Sequence, residues 1–215
     1  MTSLFPAKIP HIVKVLYPKR TWNLDASKRK HPSSVYFTFD DGPIPEVTPW
    51  VLDTLKNYNV KASFFCIGDN LRKYPEIGKR ILAEGHTLGN HTQHHLNAWK
   101  TKEEVYLNDV KLAQHQLDNY PIKDAYFRPP YGKLTSKLAQ QLMKEGYKII
   151  MWDILSKDYD ATIDEESCLA NVTHNLEAGS IVVFHDSLKA ERNLRYVLPK
   201  AIENALERGF QLDSL

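Results

Sequence analysis

Cysteine is scarce in this sequence: Cys66 and Cys168 are the only two among 215 residues. Two thiols without metal-ligand spacing exclude a disulfide-stapled scaffold, and both read as reduced, packed side chains. Long apolar runs are absent too. None reaches the ~18 residues that a membrane-spanning helix requires. Charge of one sign does not dominate either, with 28 Lys and Arg against 26 Asp and Glu. That balance argues against the basic footprint of a nucleic-acid binder and against an acidic tail. The amino terminus lacks the uninterrupted apolar core and small-residue cleavage site of a signal peptide. Lys8, His11 and Lys14 break its apolar stretch, and Pro6, Pro10 and Pro18 bound it. The chain is therefore expected to be cytoplasmic, with a cell-envelope location open if its amino terminus has been trimmed.

What is present is the balance of an ordinary globular protein, 42% hydrophobic and 25% charged. Apolar, β-rich runs recur at Val35–Phe39, Ala62–Ile67, His86–Asn90, Ala125–Phe127, Tyr147–Trp152, Ile181–Phe184 and Phe210–Leu212. Their near-continuous apolar character predicts strands covered on both faces, as in a parallel sheet. Between them, Val47–Tyr58, Leu134–Glu145 and Asn193–Arg208 carry apolar residues at helical spacing. Gly85, Gly146, Gly179 and Gly209 each close a helical stretch directly before a strand. This punctuation predicts repeated βα units in one α/β domain over residues 35–215. Residues 1–34 are expected to form an N-terminal segment that packs across one end. Seven strands suit an open doubly wound sheet or an irregular barrel, and periodicity does not choose between them.

In α/β folds, ligands gather at the carboxyl ends of strands. Asp40-Asp41-Gly42-Pro43, His91-Thr92-Gln93-His94-His95, Arg128-Pro129-Pro130-Tyr131-Gly132, Asp153 through Asp158-Tyr159, and His185-Asp186 each follow one. Any one of these has an ordinary explanation as a turn, a solvated helix face or a buried histidine. Five on one rim are a different matter. Adjacent carboxylates repel unless a cation or an arginine compensates them. On a helical turn His91 and His95 would project to one side, with His94 turned away. One Asp and two His form a three-point ligand set with open positions for water and substrate. A second carboxylate, a distant histidine and an arginine complete the parts of a metal-assisted hydrolase.

These residues resemble the polysaccharide deacetylases, the carbohydrate esterase family 4 enzymes with a NodB-homology domain. The resemblance rests on Thr38-Phe39-Asp40-Asp41-Gly42-Pro43, His91-Thr92-Gln93-His94-His95, Arg128-Pro129-Pro130-Tyr131, Asp158-Tyr159 and Val183-Phe184-His185, in that order. It implies a distorted (β/α) barrel of seven or eight mostly parallel strands in a single domain. It also implies Asp40 as general base, Asp41, His91 and His95 as ligands of a divalent metal, and Arg128 as the group orienting Asp40. Tyr131 would offer its backbone N–H to an oxyanion, and His185, positioned by Asp158, would be the general acid. The metal implied is Zn²⁺, although the ligand set also admits Co²⁺, Ni²⁺, Mn²⁺ or Fe²⁺. The implied substrate is an N-acetylglucosamine-containing glycan, peptidoglycan- or chitin-like, which loses acetate.

Two positions depart from the family pattern. Tyr159 stands where Trp is usual, and Val183 where Leu is usual. Both wall the acetyl-methyl pocket in the family, so acyl preference is the property they bear on. Trp99 and Trp152 are candidates for a sugar-stacking face, with Trp152, at the end of an apolar run, better suited to the core. Two other functions fit the same residues: a deformylase or deacylase of a small or lipid-linked amino sugar, and a non-catalytic carbohydrate-binding module.

Overall fold

The computed structural model describes residues 6–215, and in it the apolar runs become parallel strands. They are β1 (Ser34–Asp40), β2 (Ser63–Cys66), β3 (Thr87–Asn90), β4 (Tyr126–Phe127), β5 (Lys148–Ile149), β6 (Ile154–Leu155), β7 (Ile181–His185) and β8 (Gln211–Leu212). Seven follow the order β5-β4-β3-β2-β1-β7-β6, and β8 pairs with the first residues of β1. Every strand pair is parallel. The helices are α1 (His11–Leu16), α2 (Thr48–Asn57), α3 (Gly68–Lys73), α4 (Pro75–Ala83), α5 (Glu103–Leu117), α6 (Ser136–Lys144), α7 (Glu165–Thr173) and α8 (Glu191–Glu207). No helix among the described residues is long and apolar enough to cross a membrane.

Side chains alternate between two cores, because successive strand residues face opposite ways. Val35, Phe37 and Phe39 of β1 join Val182 and Phe184 of β7 and the apolar faces of α2 and α8 in an outer core. Tyr36 of β1, Phe65 of β2 and Ile181 and Val183 of β7 point into an inner core. Stacking of Phe39 on Phe64 and Phe184, with centroids 5.0 and 5.7 Å apart, fixes the outer layer behind β1. On the inner face the same alternation delivers Thr38 and Asp40 to the interior of a half-barrel. That places the chemistry at the strands' carboxyl ends.

The half-barrel is open between β5 and β6, and the N-terminal segment runs along that seam. Thr21 N–H donates to the Ile149 carbonyl at 2.9 Å, and Met151 N–H donates to the Thr21 carbonyl at 2.7 Å. Further along, Ile9 N–H reaches the Asp153 carbonyl and Leu155 N–H reaches that of Ala7. This strap explains a difference from the sequence reading. The run Tyr147–Trp152 keeps its bonds to β4 only as far as the Ile150 amide, Thr21 pairs along its outer edge, and a short sixth strand follows.

That strand also moves Asp153 off the catalytic rim. Asp153 precedes β6, bonded to Ser180 at the amino-terminal end of β7, the opposite end from His185. Its carboxylate is wholly buried and holds Lys8 and Lys14 at 2.5 Å each, tying the strap to the barrel. Removing the charge from a buried pair leaves its partners uncompensated. Asp153→Asn is expected to lower unfolding free energy by about 3 kcal/mol, read from denaturant melts. An unchanged midpoint would show that the strap is held by its backbone bonds alone.

Candidate metal centre and active site

Asp41 follows β1, and its backbone takes φ 85°, which turns its carboxylate away from that of Asp40. Gly42 must come next without a side chain: a Cβ there would lie 1.9 Å from Asp186 Oδ2. The Asp186 carboxyl accepts hydrogen bonds from Gly42 N–H at 3.0 Å and Thr48 Oγ1 at 2.6 Å, locking the turn from beneath. Burial pushes Asp186 up to about 8, against the pull of those two donors.

His91 and His95 converge on Asp41, although not from a helix. The segment after β3 is irregular, with Thr92 at φ 63° and His95 at φ 55°. Such left-handed conformations persist only where the surroundings impose them. Asn90 Oδ1 accepts from Thr92 N–H at 2.8 Å. Asp109, a buried carboxylate on α5, accepts from both Gln93 and His94 N–H at 3.0 Å and meets His94 Nδ1 at 2.6 Å. His94 is thereby an exposed brace outside the ligand set.

His91 Nε2 lies 3.8 Å and His95 Nε2 3.3 Å from Asp41 Oδ1, and one ligand atom from each of the three lies within 4.8 Å of the others. These atoms suit a divalent cation for three reasons. Asp41 Oδ1 is buried and has no hydrogen-bond partner among the described residues. His91 Nδ1 sits 2.8 Å from the Arg128 carbonyl, which only accepts, so Nδ1 carries the proton and Nε2 presents its lone pair. Burial and the neighbouring His91 hold His95 down to about 4, leaving it neutral over the physiological range despite Asp41. For Asp41, burial opposes the charge, but His185, His91 and His95 outweigh it and hold the carboxyl below its ordinary value.

Asp40 has a different counter-charge. The Arg128 guanidinium, wholly buried, donates Nη1 to Asp40 Oδ1 and to Thr38 Oγ1, each at 2.7 Å. Its Nη2 donates to the Met151 carbonyl at 2.9 Å, and the group lies 4.0 Å over the Phe65 ring. Across the mouth, His185 Nδ1 donates to Asp158 Oδ1 at 2.8 Å, and its backbone N–H donates to Asp158 Oδ2 at 2.7 Å. Burial works against protonating His185. The Asp158 charge and hydrogen bond, helped by Asp41 and Asp40, overcome it and raise the imidazole to about 9.

The remaining residues lie around these groups. Tyr131, at φ 59° in a short 3₁₀ turn, places its hydroxyl 3.2 Å from His95 Nδ1. Tyr159 meets the His185 ring edge-on at 4.8 Å between centroids. Val183 faces the inner core two residues before His185. Trp152 is buried against Gly132, where a Cβ would fall 2.4 Å from the indole, whereas Trp99 is 64% exposed. Cys66 and Cys168 are free and buried.

Comparison with known proteins agrees with this geometry. The sequence matches the family model described as "Polysaccharide deacetylase" over residues 27–150. The chain belongs to the polysaccharide deacetylase family. Among relatives, it is 31% identical over 192 residues to a peptidoglycan-N-acetylglucosamine deacetylase of Bacillus cereus, covering 89% of this chain and 88% of that one. It is 32% identical to a chitooligosaccharide deacetylase of Azorhizobium caulinodans, covering 85% and 93%. Some relatives are longer: the chain spans 56% of another Bacillus cereus peptidoglycan-N-acetylglucosamine deacetylase, at 37% identity over 158 residues. A crystal structure of a peptidoglycan N-acetylglucosamine deacetylase bound to an N-oxidanyl-benzamide compound superposes with a TM-score of 0.84 at 31% identity, covering 96% and 94% of the chains. The distorted, mostly parallel α/β barrel expected from sequence is the fold observed, as a half-barrel.

Asp109 and Asp186 gain positioning roles that the sequence reading did not assign. Asp109 had a detectable signal: a carboxylate on the same helical face as Tyr106, Val110, Ala113 and Leu117, all buried. Because outer-shell braces typically affect metal affinity by 10–100-fold, Asp109→Ala is expected to weaken divalent-cation binding about tenfold or more in calorimetric titration. Asp109→Asn should retain part of it. The pH dependence has a defined sign as well. A group raised to about 9 stays protonated below that value, so an acid role for His185 puts the alkaline limb of kcat/KM near pH 9. In Asp158→Asn only burial and the weaker distant charges remain, and the limb should move toward or below about 6.5. A limb that stays put in that variant would belong to another group.

Proposed function

We propose that this chain is a metal-dependent hydrolase that removes N-acetyl groups from N-acetylglucosamine residues of a peptidoglycan- or chitin-like glycan, releasing acetate and a free amine. The observation that carries the reading is the division of labour between adjacent carboxylates. Asp41 Oδ1 is left without a hydrogen-bond partner among the described residues beside two histidine nitrogens, while Asp40 is held by Arg128. The names of the relatives support the substrate class. Zn²⁺ is the metal we assign to Asp41, His91 and His95. When bound there, it would polarise the acetyl carbonyl and make water easier to deprotonate.

The chain's own residues supply the rest. Arg128 pairs with Asp40 and aims it, so Asp40 accepts the proton of the attacking water. The Tyr131 N–H stabilises the oxyanion that develops as the carbonyl carbon becomes tetrahedral. His185 enters protonated, because Asp158 holds its charge, and gives that proton to the departing amine. Proton uptake by Asp40 and release by His185 balance, and the site resets when Asp40 gives up that proton and His185 regains one through solvent. Val183 and Tyr159 would line the acyl pocket with a smaller, more polar wall than the family's usual pair.

Metal-loaded protein should release acetate from N-acetylchitooligosaccharides or peptidoglycan fragments, lose that activity on chelation and regain it with Zn²⁺. Asp40→Asn should lower kcat by about 100- to 10,000-fold while binding Zn²⁺ normally. Wild-type turnover in that variant would remove Asp40 as the base. Formate as the only acyl product would replace this reading with a deformylase.

A further inference from the structure

Helix α1 of the N-terminal strap is turned the opposite way from an ordinary surface helix. Such a helix sets its apolar stripe against the core and its charges in water. In α1 no residue is buried, and Lys14 points inward to the Asp153 carboxylate. Ile12, Val15 and Leu16, spaced i, i+3 and i+4, share the other face and are 61%, 55% and 65% exposed. The stripe runs on past the exposed Tyr17 into a groove between the strap and α6. That groove has a volume of about 190 Å³ and is lined by Leu16, Tyr17, Lys19, Ala139 and Met143 among others. The charge of this face is one-sided as well. Residues 6–24 and 133–144, the strap and the segment containing α6, hold seven Lys and Arg and no Asp or Glu, in a chain whose net charge is only +2. Lys14 is matched to Asp153, Lys137 to Glu103, and Arg20 lies over the Tyr17 ring. Lys19 and Lys144 are exposed, and neither takes part in an ion pair among the described residues.

An aliphatic stripe bordered by unmatched cations has two demands, an apolar phase and a negative surface. A free anionic polymer meets the second and leaves the stripe in water. A second copy of this chain covers the stripe, but it sets cation against cation with no carboxylate from either face between them, and like charges across an interface are costly. A bilayer with anionic headgroups meets both demands at one depth, apolar side chains entering the acyl boundary and lysines staying among the phosphates. We infer that the face formed by α1 and the neighbouring end of α6 docks on an anionic lipid bilayer through Ile12, Val15 and Leu16, with Lys19 and Lys144 against the lipid phosphates. The docking is peripheral, because six helical residues dip into the interface and do not span it. None of these five residues belongs to the metal or acid–base groups, so the inference stands apart from the deacetylase reading. Because part of the attraction is between surface charges, salt should weaken it.

The test is flotation of the full chain with vesicles of phosphatidylcholine alone and of phosphatidylcholine mixed with phosphatidylglycerol. The wild type is expected to float with the mixed vesicles at low salt, with a partition coefficient about tenfold or more above that for neutral vesicles, and to be released by high salt. Ile12→Ser with Leu16→Ser should lower the coefficient on mixed vesicles about tenfold. Lys19→Glu with Lys144→Glu should do the same and remove the preference for the anionic lipid. Both double variants should keep the wild-type melting temperature and acetate release from a soluble N-acetylchitooligosaccharide. No flotation with the mixed vesicles, or flotation undiminished in both variants, would overturn the inference. So would a vesicle-free dimer in sedimentation that is lost in the Ser variant, which would give the stripe to a second copy. Were one double variant not to fold, the other, with the wild-type lipid and salt comparisons, would still decide. Flotation is read without catalysis, so its failure would leave the deacetylase reading intact.

Discussion

The Arg128–Asp40 pair is the constraint on which the rest of the site depends. Both charges are buried in the half-barrel, where an isolated ion would be strongly penalised. The penalty is met by near-complete hydrogen bonding: the guanidinium reaches Asp40, Thr38 and the carbonyls of Ile150 and Met151. Only a planar, forked donor can serve strand β1 and the loop after β5 at once, so lysine would be a poor substitute. The same residue offers its own carbonyl to His91. One side chain and its backbone therefore align Asp40, His91 and the crossing loop, linking parts of the chain that lie far apart in sequence.

Around this anchor, two chemically identical neighbours are driven to different tasks. Asp40 and Asp41 share a turn, yet one faces a permanent cation and the other faces imidazoles. Environments that separate like groups are a common way to assign acid–base roles within one site. His185 and His95 show the same separation. One is raised to about 9 by Asp158 and the other lowered to about 4 by burial beside His91, suiting the first to donate a proton and the second to offer a lone pair. Asp158 raises His185, while Asp109 and Asp186 hold the loop and the turn that present the other groups.

Much of this was legible in the sequence because the chemistry sits at strand ends, where a change from apolar to polar residues is visible. The pairing of Asp41 with His91 and His95 could be read from residue type. Its geometry could not: in place of a helical turn the two histidines sit on a loop with two left-handed residues, held by the adjacent Asn90 and by Asp109 from α5. The run Tyr147–Trp152 differs for a related reason: its apolar pattern fits one strand, but only its first part pairs with β4, its outer edge is taken by Thr21, and local pattern carries no record of a partner well over a hundred positions earlier. Asp153 was consequently placed on the wrong end of the sheet. Asp109 stands out in the sequence as a carboxylate on an apolar helix face, but what it holds is visible only once the loop after β3 is in place.

The N-terminal strap has a consequence for the whole molecule rather than for its chemistry. A parallel sheet that stops short of closing leaves two outer strands with unsatisfied amides and carbonyls, the kind of border along which separate chains zip together. Here residues 7 to 24 occupy that border from both sides through Thr21, Ile9 and Ala7. The segment thus works as a built-in blocker of intermolecular strand addition, and the half-barrel can stay open at its seam without becoming adhesive.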